Sequence, residues 1–513
     1  MSRHPRTTVL VCIFLVGWAW MWCTPPSDAP DEASHYVRMV GLSDGSLFGR
    51  GVAPDAPVTE LFTDAPEGVA RERLNLESGD YDLPAEAAPA SACNQFDGGR
   101  PYDCVPAAAT NGTIVARSFH ARSLPTSYAI PALLSSAGES TSAKSLWGRA
   151  GYLLQAVLLL GLAAAAASSL VARRGHGWSL IILSVTPLAT YQLATLSPSG
   201  TEWAAAMAFT ACLLRLLHEP RRRWQVATVA TATLCLLTRD LGLFIVPMAI
   251  GIVACGFPRQ AIDLARSERR FTVFAIAGVG LGWLAAIGWR LWVQAPSGSP
   301  EVSGSVLSAI VRHSASLALF SVGRIGWLVT TSGLVVSAVW CVGAAVMLWL
   351  ATLGTRPRLR ALLATATCWL LLNGVLEAAF RPTGFGVQAR YGLPVLSLGL
   401  LVVATIPTAR PATAKTERRA LHACGWASAL GHLVSMVTMI WRHTQGLWHR
   451  WPFADPAWAP PIGWAASSCF VVLAVASIAL MPRLSTDDDV QRRPTTSRAT
   501  RAAVRNEASA AID

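Results

Sequence analysis

Runs of about twenty apolar residues recur along this chain, each long enough to cross the ~30 Å hydrocarbon core of a bilayer. They fall near 7–23, 146–171, 178–196, 203–218, 224–238, 241–256, 271–293, 326–351, 360–379, 391–408, 421–440 and 463–481. The expected fold is therefore an all-α polytopic membrane protein with about twelve transmembrane helices. The 224–256 stretch reads as two short helices in a hairpin around Arg239 and Asp240, because two spans there preserve the later alternation; one long broken helix is the alternative. Composition supports the membrane reading. Hydrophobic residues make up 52% of 513 and charged residues 14%, against ~25% charged in an ordinary soluble domain. That balance excludes a soluble enzyme, a disordered chain, a collagen-like chain and a disulfide scaffold. The net charge of +12 raises nucleic acid as a partner, but that role needs a basic face on a folded soluble body.

The charges instead follow the spans. With Arg3 and Arg6 in the cytoplasm, the alternate short loops hold Arg173/Arg174, Arg221–Arg223, Arg259/Arg266/Arg269/Arg270, Arg356/Arg358/Arg360 and Lys415/Arg418/Arg419. This is the positive-inside pattern. It places both termini in the cytoplasm and predicts a multi-pass plasma-membrane protein. Residues 1–23 form the cytoplasmic N-terminus and first helix. The Trp-rich end of that helix is a poor cleavage site, so it is expected to remain as an anchor. Residues 146–481 form the helical membrane domain, and 482–513 a polar, disordered cytoplasmic tail.

Residues 24–145 form one large extracytoplasmic loop or lobe. It carries 16 of the 30 acids and 8 of the 42 bases, a net of −8 that leaves +20 elsewhere. Its two cysteines, Cys93 and Cys104, face an oxidising compartment and are expected to form a disulfide rather than stay free. Ligand-like Cys and His spacing is missing, so no metal residue is assigned. The sequence fixes no cofactor and leaves room for a divalent metal.

Polar chemistry concentrates just beyond the first span, at Pro30-Asp31-Glu32-Ala33-Ser34-His35-Tyr36-Val37-Arg38. A helix beginning at Pro30 would set Asp31, His35 and Arg38 on one face, with Glu32 adjacent. A carboxylate there can take a proton from a hydroxyl, and an arginine can hold a phosphate bidentately. The ordinary reading of the same residues is helix N-terminal charge stabilisation. Three other places repeat the theme. Gln388, Arg390 and Tyr391 open the tenth span on the outer side, where the alternative for Arg390 is snorkelling to headgroups. Glu202 enters a span after Ser197-Pro198-Ser199-Gly200, and Arg239 and Asp240 sit side by side. Glu377 lies within a span, where a charge is expensive and functional by default.

Taken in order, Pro-Asp-Glu-x-x-His (30–35), Ser-Pro-Ser-Gly-x-Glu (197–202), Thr-Arg-Asp (238–240), Gly-Arg-Ile-Gly-Trp-Leu (323–328) and Gln-x-Arg-Tyr-x-x-Pro (388–394) carry a resemblance. The chain resembles the predicted bacterial membrane proteins called domain of unknown function 2142, over roughly residues 8–440. That family is similar to the GT-C superfamily of integral-membrane glycosyltransferases, which take sugars from polyprenyl-phosphate carriers at the outer face. The resemblance implies a GT-C-like fold and a polyprenyl-phosphate-linked sugar donor. It further implies a cell-envelope glycan or lipid acceptor. Asp31 or Glu32 becomes the catalytic acid, with His35 and Arg38 beside it, and Arg390, Gln388 and Tyr391 hold the lipid phosphate. One departure stands out: Val329 occupies a place where an acid would be expected. Two other functions remain open from sequence. A transporter or flippase of a lipid-linked or small anionic substrate would need charges at mid-membrane depth. A non-catalytic envelope-assembly protein is favoured by Val329.

Overall fold

A computed structural model describes residues 5–491 except 54, 57–74, 76, 91–96, 104–111, 172–176, 294–305, 327–329, 332–335, 338–339, 342, 346–355, 381–386, 408–412 and 448–455. Cys93, Cys104, Val329 and the final tail from 492 lie outside the described residues.

The chain enters through α1 (Pro5–Cys23), an almost wholly apolar helix. It then builds a lobe. Helix α2 (Glu32–Ser43) packs on an antiparallel sheet of β1 (Arg50–Gly51), β2 (Gly79–Pro84) and β3 (Thr113–Ser118), in the order β1-β2-β3. On β2, Tyr81 and Leu83 point inward while Asp80 and Asp82 point out, the period-two pattern of a half-buried strand. The lobe has its own small core of Tyr36, Val37, Val40, Tyr81, Leu83 and Tyr128. The all-helical expectation is corrected here: the described chain is mostly helical, but this loop folds around a sheet. A short helix, α3 (Ala129–Ser135), leads back to the bundle.

The bundle continues through α4 (Thr141–Val171), α5 (Gly177–Ser184), α6 (Pro187–Leu193), α7 (Pro198–His218), α8 (Arg222–Thr238), α9 (Gly242–Gly256), α10 (Pro258–Ser267), α11 (Arg269–Val293), α12 (Val306–Gly323), α13 (Arg356–Phe380), α14 (Ala389–Thr405), α15 (Ala414–Gln445) and α16 (Gly463–Gln491). Helices α7 and α14 are buried nearly end to end. Around α14 pack α5, α7, α9, α12 and α13, which makes it the axis of the bundle. At the edge, α11 leaves Val273, Ile276, Leu284 and Leu291 uncovered, as a lipid-facing helix would. Five described helices are long and apolar enough to cross a bilayer singly. The others are shorter or less apolar.

Several expected boundaries shift. The 178–196 span is broken into α5 and α6, because Pro187 cannot continue a helix and starts a new one, with Thr186 capping the Ala189 amide at 3.2 Å. The 224–256 stretch forms two helices, α8 and α9, separated at Arg239–Leu241. The expected 326–351 span opens instead with a two-stranded turn, β4 (Arg324–Ile325) paired with β5 (Thr330–Thr331); most of its remainder lies outside the described residues. Helix α12 falls outside the expected spans, since Arg312 and His313 interrupt its apolar run. Helix α16 runs on to Gln491, past the expected span end at 481.

One motif glycine acquires a packing reason. A Cβ on Gly200 would lie 2.3 Å from the Gln192 carbonyl oxygen, where α7 crosses close under α6. Rigid backbone cannot yield as a flexible side chain can. Gly200→Ala is therefore expected to cost about 1–3 kcal/mol, as overpacking usually does. Thermal unfolding in detergent checks this, and an unchanged midpoint would remove the close approach as a constraint.

Candidate active site

The segment Thr24–Asp31 joins α1 to α2 and carries the site. Ser27 (φ 64°) and Asp31 (φ 67°) are the two non-glycine residues with left-handed backbone among the described residues. Such conformations persist only where the surroundings hold them. Here three acids within five positions are each bound by an arginine from a different helix.

Asp28 meets Arg442 of α15, with Oδ1 2.6 Å from Nη1, and accepts from the Tyr191 hydroxyl at 3.4 Å. His443 Nε2 lies 3.4 Å from its other oxygen. Burial pushes the Asp28 carboxyl up, but His443 and Arg442 outweigh it and bring it down to about 2. Glu32 meets Arg149 of α4 in a two-pronged pair, Nε to Oε1 at 2.8 Å and Nη2 to Oε2 at 2.9 Å. The amides of Leu196 and Ala29 donate to the same two oxygens at 3.0 and 3.1 Å. Arg149 also donates to the carbonyls of Thr24 (2.6 Å) and Pro25 (2.7 Å). Asp31 pairs with Arg390 of α14, which also reaches the Pro30 carbonyl at 3.3 Å.

Exposure separates the three acids. The Asp28 and Glu32 side chains are 0% and 1% exposed, whereas Asp31 is 19% exposed. Glu32 was expected beside Asp31 as a catalytic acid. The structure seals both its oxygens into hydrogen bonds with Arg149 and the Leu196 and Ala29 amides, which makes it a staple. Burial raises the Asp31 carboxyl, yet the Arg390 guanidinium outweighs it and holds it below the ordinary range. It is therefore an anion at neutral pH.

Helix α2 begins at Glu32, so Asp31 stands just outside it and the expected Asp31–His35–Arg38 face does not form as drawn. His35 does turn to Asp31. Its ring stacks on that of His120 at 3.9 Å and 9°, and its Nδ1 lies 2.6 Å from the Tyr128 hydroxyl. Arg38 faces the lobe: its guanidinium donates to the Leu47 carbonyl, the Tyr81 hydroxyl (2.9 Å) and the Ser123 carbonyl (3.0 Å), tying the lobe together.

The second cationic group stands close by. Arg239 donates to Ser199 at 2.6 Å and lies 4.0 Å from Glu202. Its guanidinium sits 4.8 Å from the centre of the Tyr391 ring, and that of Arg390 sits 5.2 Å from it. Tyr391 thus stands between two cations, and its hydroxyl accepts from Arg390 at 3.3 Å. Gln388 caps α14, with its Oε1 buried and without a hydrogen-bond partner. Asp240 turns elsewhere, to Arg290 at 3.3 Å, and does not pair with Arg239. A small cleft beside Arg390 is lined by Pro30, Tyr191, Gln192, Thr195 and Arg324. Glu377 holds His313 of α12 at 2.9 Å, apart from these residues.

Asp31, His35 and His120 offer ligand atoms within 4.8 Å of one another, a spacing that would admit a divalent metal. The ion does not fit the groups as they stand. Lone pairs on imidazole nitrogens lie in the ring plane, and two rings stacked face to face cannot aim them at one point. Asp31 is moreover committed to Arg390.

Of the residues the sequence singled out, the fold brings Asp31, His35, Arg239, Glu202, Arg390 and Tyr391 into one neighbourhood. Sequence reading missed His120, Arg149, Arg442 and His443. Arg149 carried a signal, since an arginine inside an apolar run is rarely idle. His120 carried none, because its partner is 85 positions away.

The class defined by this fold is a helical membrane protein whose first interhelical segment is clamped to three other helices. Residues 14–399 match the family described as "Predicted membrane protein (DUF2142)", and the chain belongs to that family. Among solved structures it is similar to ArnT from Cupriavidus metallidurans bound to undecaprenyl phosphate, at 14% identity over 93% of this chain and 77% of that one, with a TM-score of 0.40. It is similar also to the apo state of ArnT from the same organism, at 16% identity over 71% and 67%, with a TM-score of 0.35. No curated protein matches the chain.

The histidine stack generates a pH prediction. Burial pushes His120 down, Asp31 pulls it up, and Arg239 and Arg390 push it down again, to about 4. Burial, with the Arg239 and Arg390 charges, lowers His35 as well. Both rings stay neutral in the folded state while the unfolded chain takes up protons below about 6.5. Stability should therefore be full above pH 6.5 and fall as pH drops toward 4. Thermal midpoints recorded across that range should decline, and His120→Gln should flatten the decline. An equally steep decline in the variant would take His120 out of the acid response.

Proposed function

We propose that the protein transfers a sugar from a polyprenyl-phosphate donor to a cell-envelope acceptor on the outer face of the bacterial inner membrane. The observation that carries this reading is the pairing of Asp31 with Arg390, residues 359 positions apart, at the edge of a cleft. An anionic carboxylate and a cation held together are the two charges such a reaction needs. The GT-C-like arrangement, about twelve spans, a lobe of residues 24–145 outside and both termini inside complete the proposal. The positive-inside distribution of arginines supports that orientation.

Asp31 takes the proton of the acceptor hydroxyl as general base. The acceptor oxygen then attacks the anomeric carbon, and the electrons of the carbon–oxygen bond leave with the phosphate. Arg390 meets the growing phosphate charge, with Arg239 across the Tyr391 ring and Gln388 and Tyr391 as polar contacts. Fixed cations aimed at developing charge supply much of the rate enhancement in many enzymes. In the free protein Arg390 and Asp31 neutralise each other. Donor phosphate draws Arg390 away and releases Asp31 as a base. His35 orients Asp31 from the lobe side, and Glu202 orients Arg239.

The test uses labelled polyprenyl-phosphate sugars in membranes. Asp31→Asn should lower transfer by about 10²–10⁴-fold, the usual weight of a general base, with thermal stability kept. Glu32→Gln should do the reverse in kind, lowering stability because it breaks a buried pair. Arg390→Ala should weaken donor binding. Wild-type transfer by a folded Asp31→Asn protein would end this reading.

A further inference from the structure

On the face of the bundle remote from the lobe, α9 ends at Gly256 and the chain turns by 109° into α10. Helix α9 begins three residues after Arg239, at the site, so its far end lies across the bundle from it. The turn is fixed by Phe257, which is buried and meets His218 edge-on at 5.5 Å. Helix α10 therefore runs across the bundle axis, not along it.

Its ten residues are strongly amphipathic. Arg259, Asp263 and Arg266 recur at helical spacing on one side, while Ala261, Ile262, Leu264 and Ala265 occupy the other. No residue of α10 is buried, and Ile262 is 50% exposed. Leu264 packs against the bundle core and Ala261 is half-buried, but Ile262 and Ala265 stay exposed beside them. Ten residues span about 15 Å, half the hydrocarbon core, and three charges on so short a helix exclude a position deep within it. Around it the turn 219–223 and the stretch 258–270 hold seven arginines (Arg221, Arg222, Arg223, Arg259, Arg266, Arg269 and Arg270) against Glu219, Asp263 and Glu268. Glu219 is already shared by Arg215, Arg221 and Arg223, and Glu268 accepts from Gln225 at 3.2 Å.

We infer that α10 lies in the plane of the membrane with Ile262 and Ala265 in the acyl boundary, and that its arginines dock onto anionic phospholipid headgroups. Exposed apolar residues and a net positive rim are what such a surface complements. Neutral headgroups would satisfy the apolar side alone. The inference concerns the face opposite the candidate active site and stands whether or not sugar transfer does.

The full chain would be placed in nanodiscs of phosphatidylcholine alone or with 30% phosphatidylglycerol, and amide exchange followed for residues 258–270. Exchange should be about tenfold slower with the anionic lipid, and the protection should weaken with salt. R259Q/R266Q/R269Q/R270Q should erase the difference, and the milder pair R259Q/R266Q should halve it on a logarithmic scale. Ile262→Asp should speed exchange in both discs. Equal exchange in the two lipids, or protection that survives in both arginine variants, would overturn the inference.

Discussion

Everything near the site depends on three arginines holding three acids in the nine residues that follow α1. Arg442, Arg390 and Arg149 come from α15, α14 and α4, and they meet Asp28, Asp31 and Glu32. The segment thereby becomes the knot that ties the lobe to the bundle. Breaking one partner of a buried pair leaves an uncompensated charge, which costs far more than the intact pair gains. That asymmetry explains why left-handed backbone at Ser27 and Asp31 can persist.

The same arrangement sorts acids of one chemistry into two roles. Asp28 and Glu32 are closed off by neighbours that satisfy their oxygens. Asp31 retains an exposed edge, a single strong partner and a pair of neutral imidazoles. Gly326, with φ +62°, approaches Arg442 and Asp28 so closely that a Cβ would sit 2.7 Å from Nη1 and 3.4 Å from Oδ2. The glycine of the Gly-Trp-Leu motif thus serves the buried clamp, a role independent of any acid at position 329.

Much of the helical framework was legible, because apolar runs of membrane length report burial in lipid or protein irrespective of tertiary detail. The failures have local causes. Pro187 splits a span whose hydropathy looks continuous. Arg312 and His313 hide α12, since His313 finds Glu377 only once α12 and α13 meet. The lobe's sheet escaped notice because its strands are short, and only Tyr81 and Leu83 mark the inward face of β2.

The sequence by itself determined the membrane character, the alternation of arginine-rich turns, the family and the neighbourhood of the site, because these follow from composition, periodicity and short motifs. Only the tertiary structure decided which acid keeps an exposed edge. Asp31 differs from Glu32 by one position in the chain, but burial and partners set a carboxylate's behaviour. The partners that separate them, Arg149 and Arg390, stand 117 and 359 residues away.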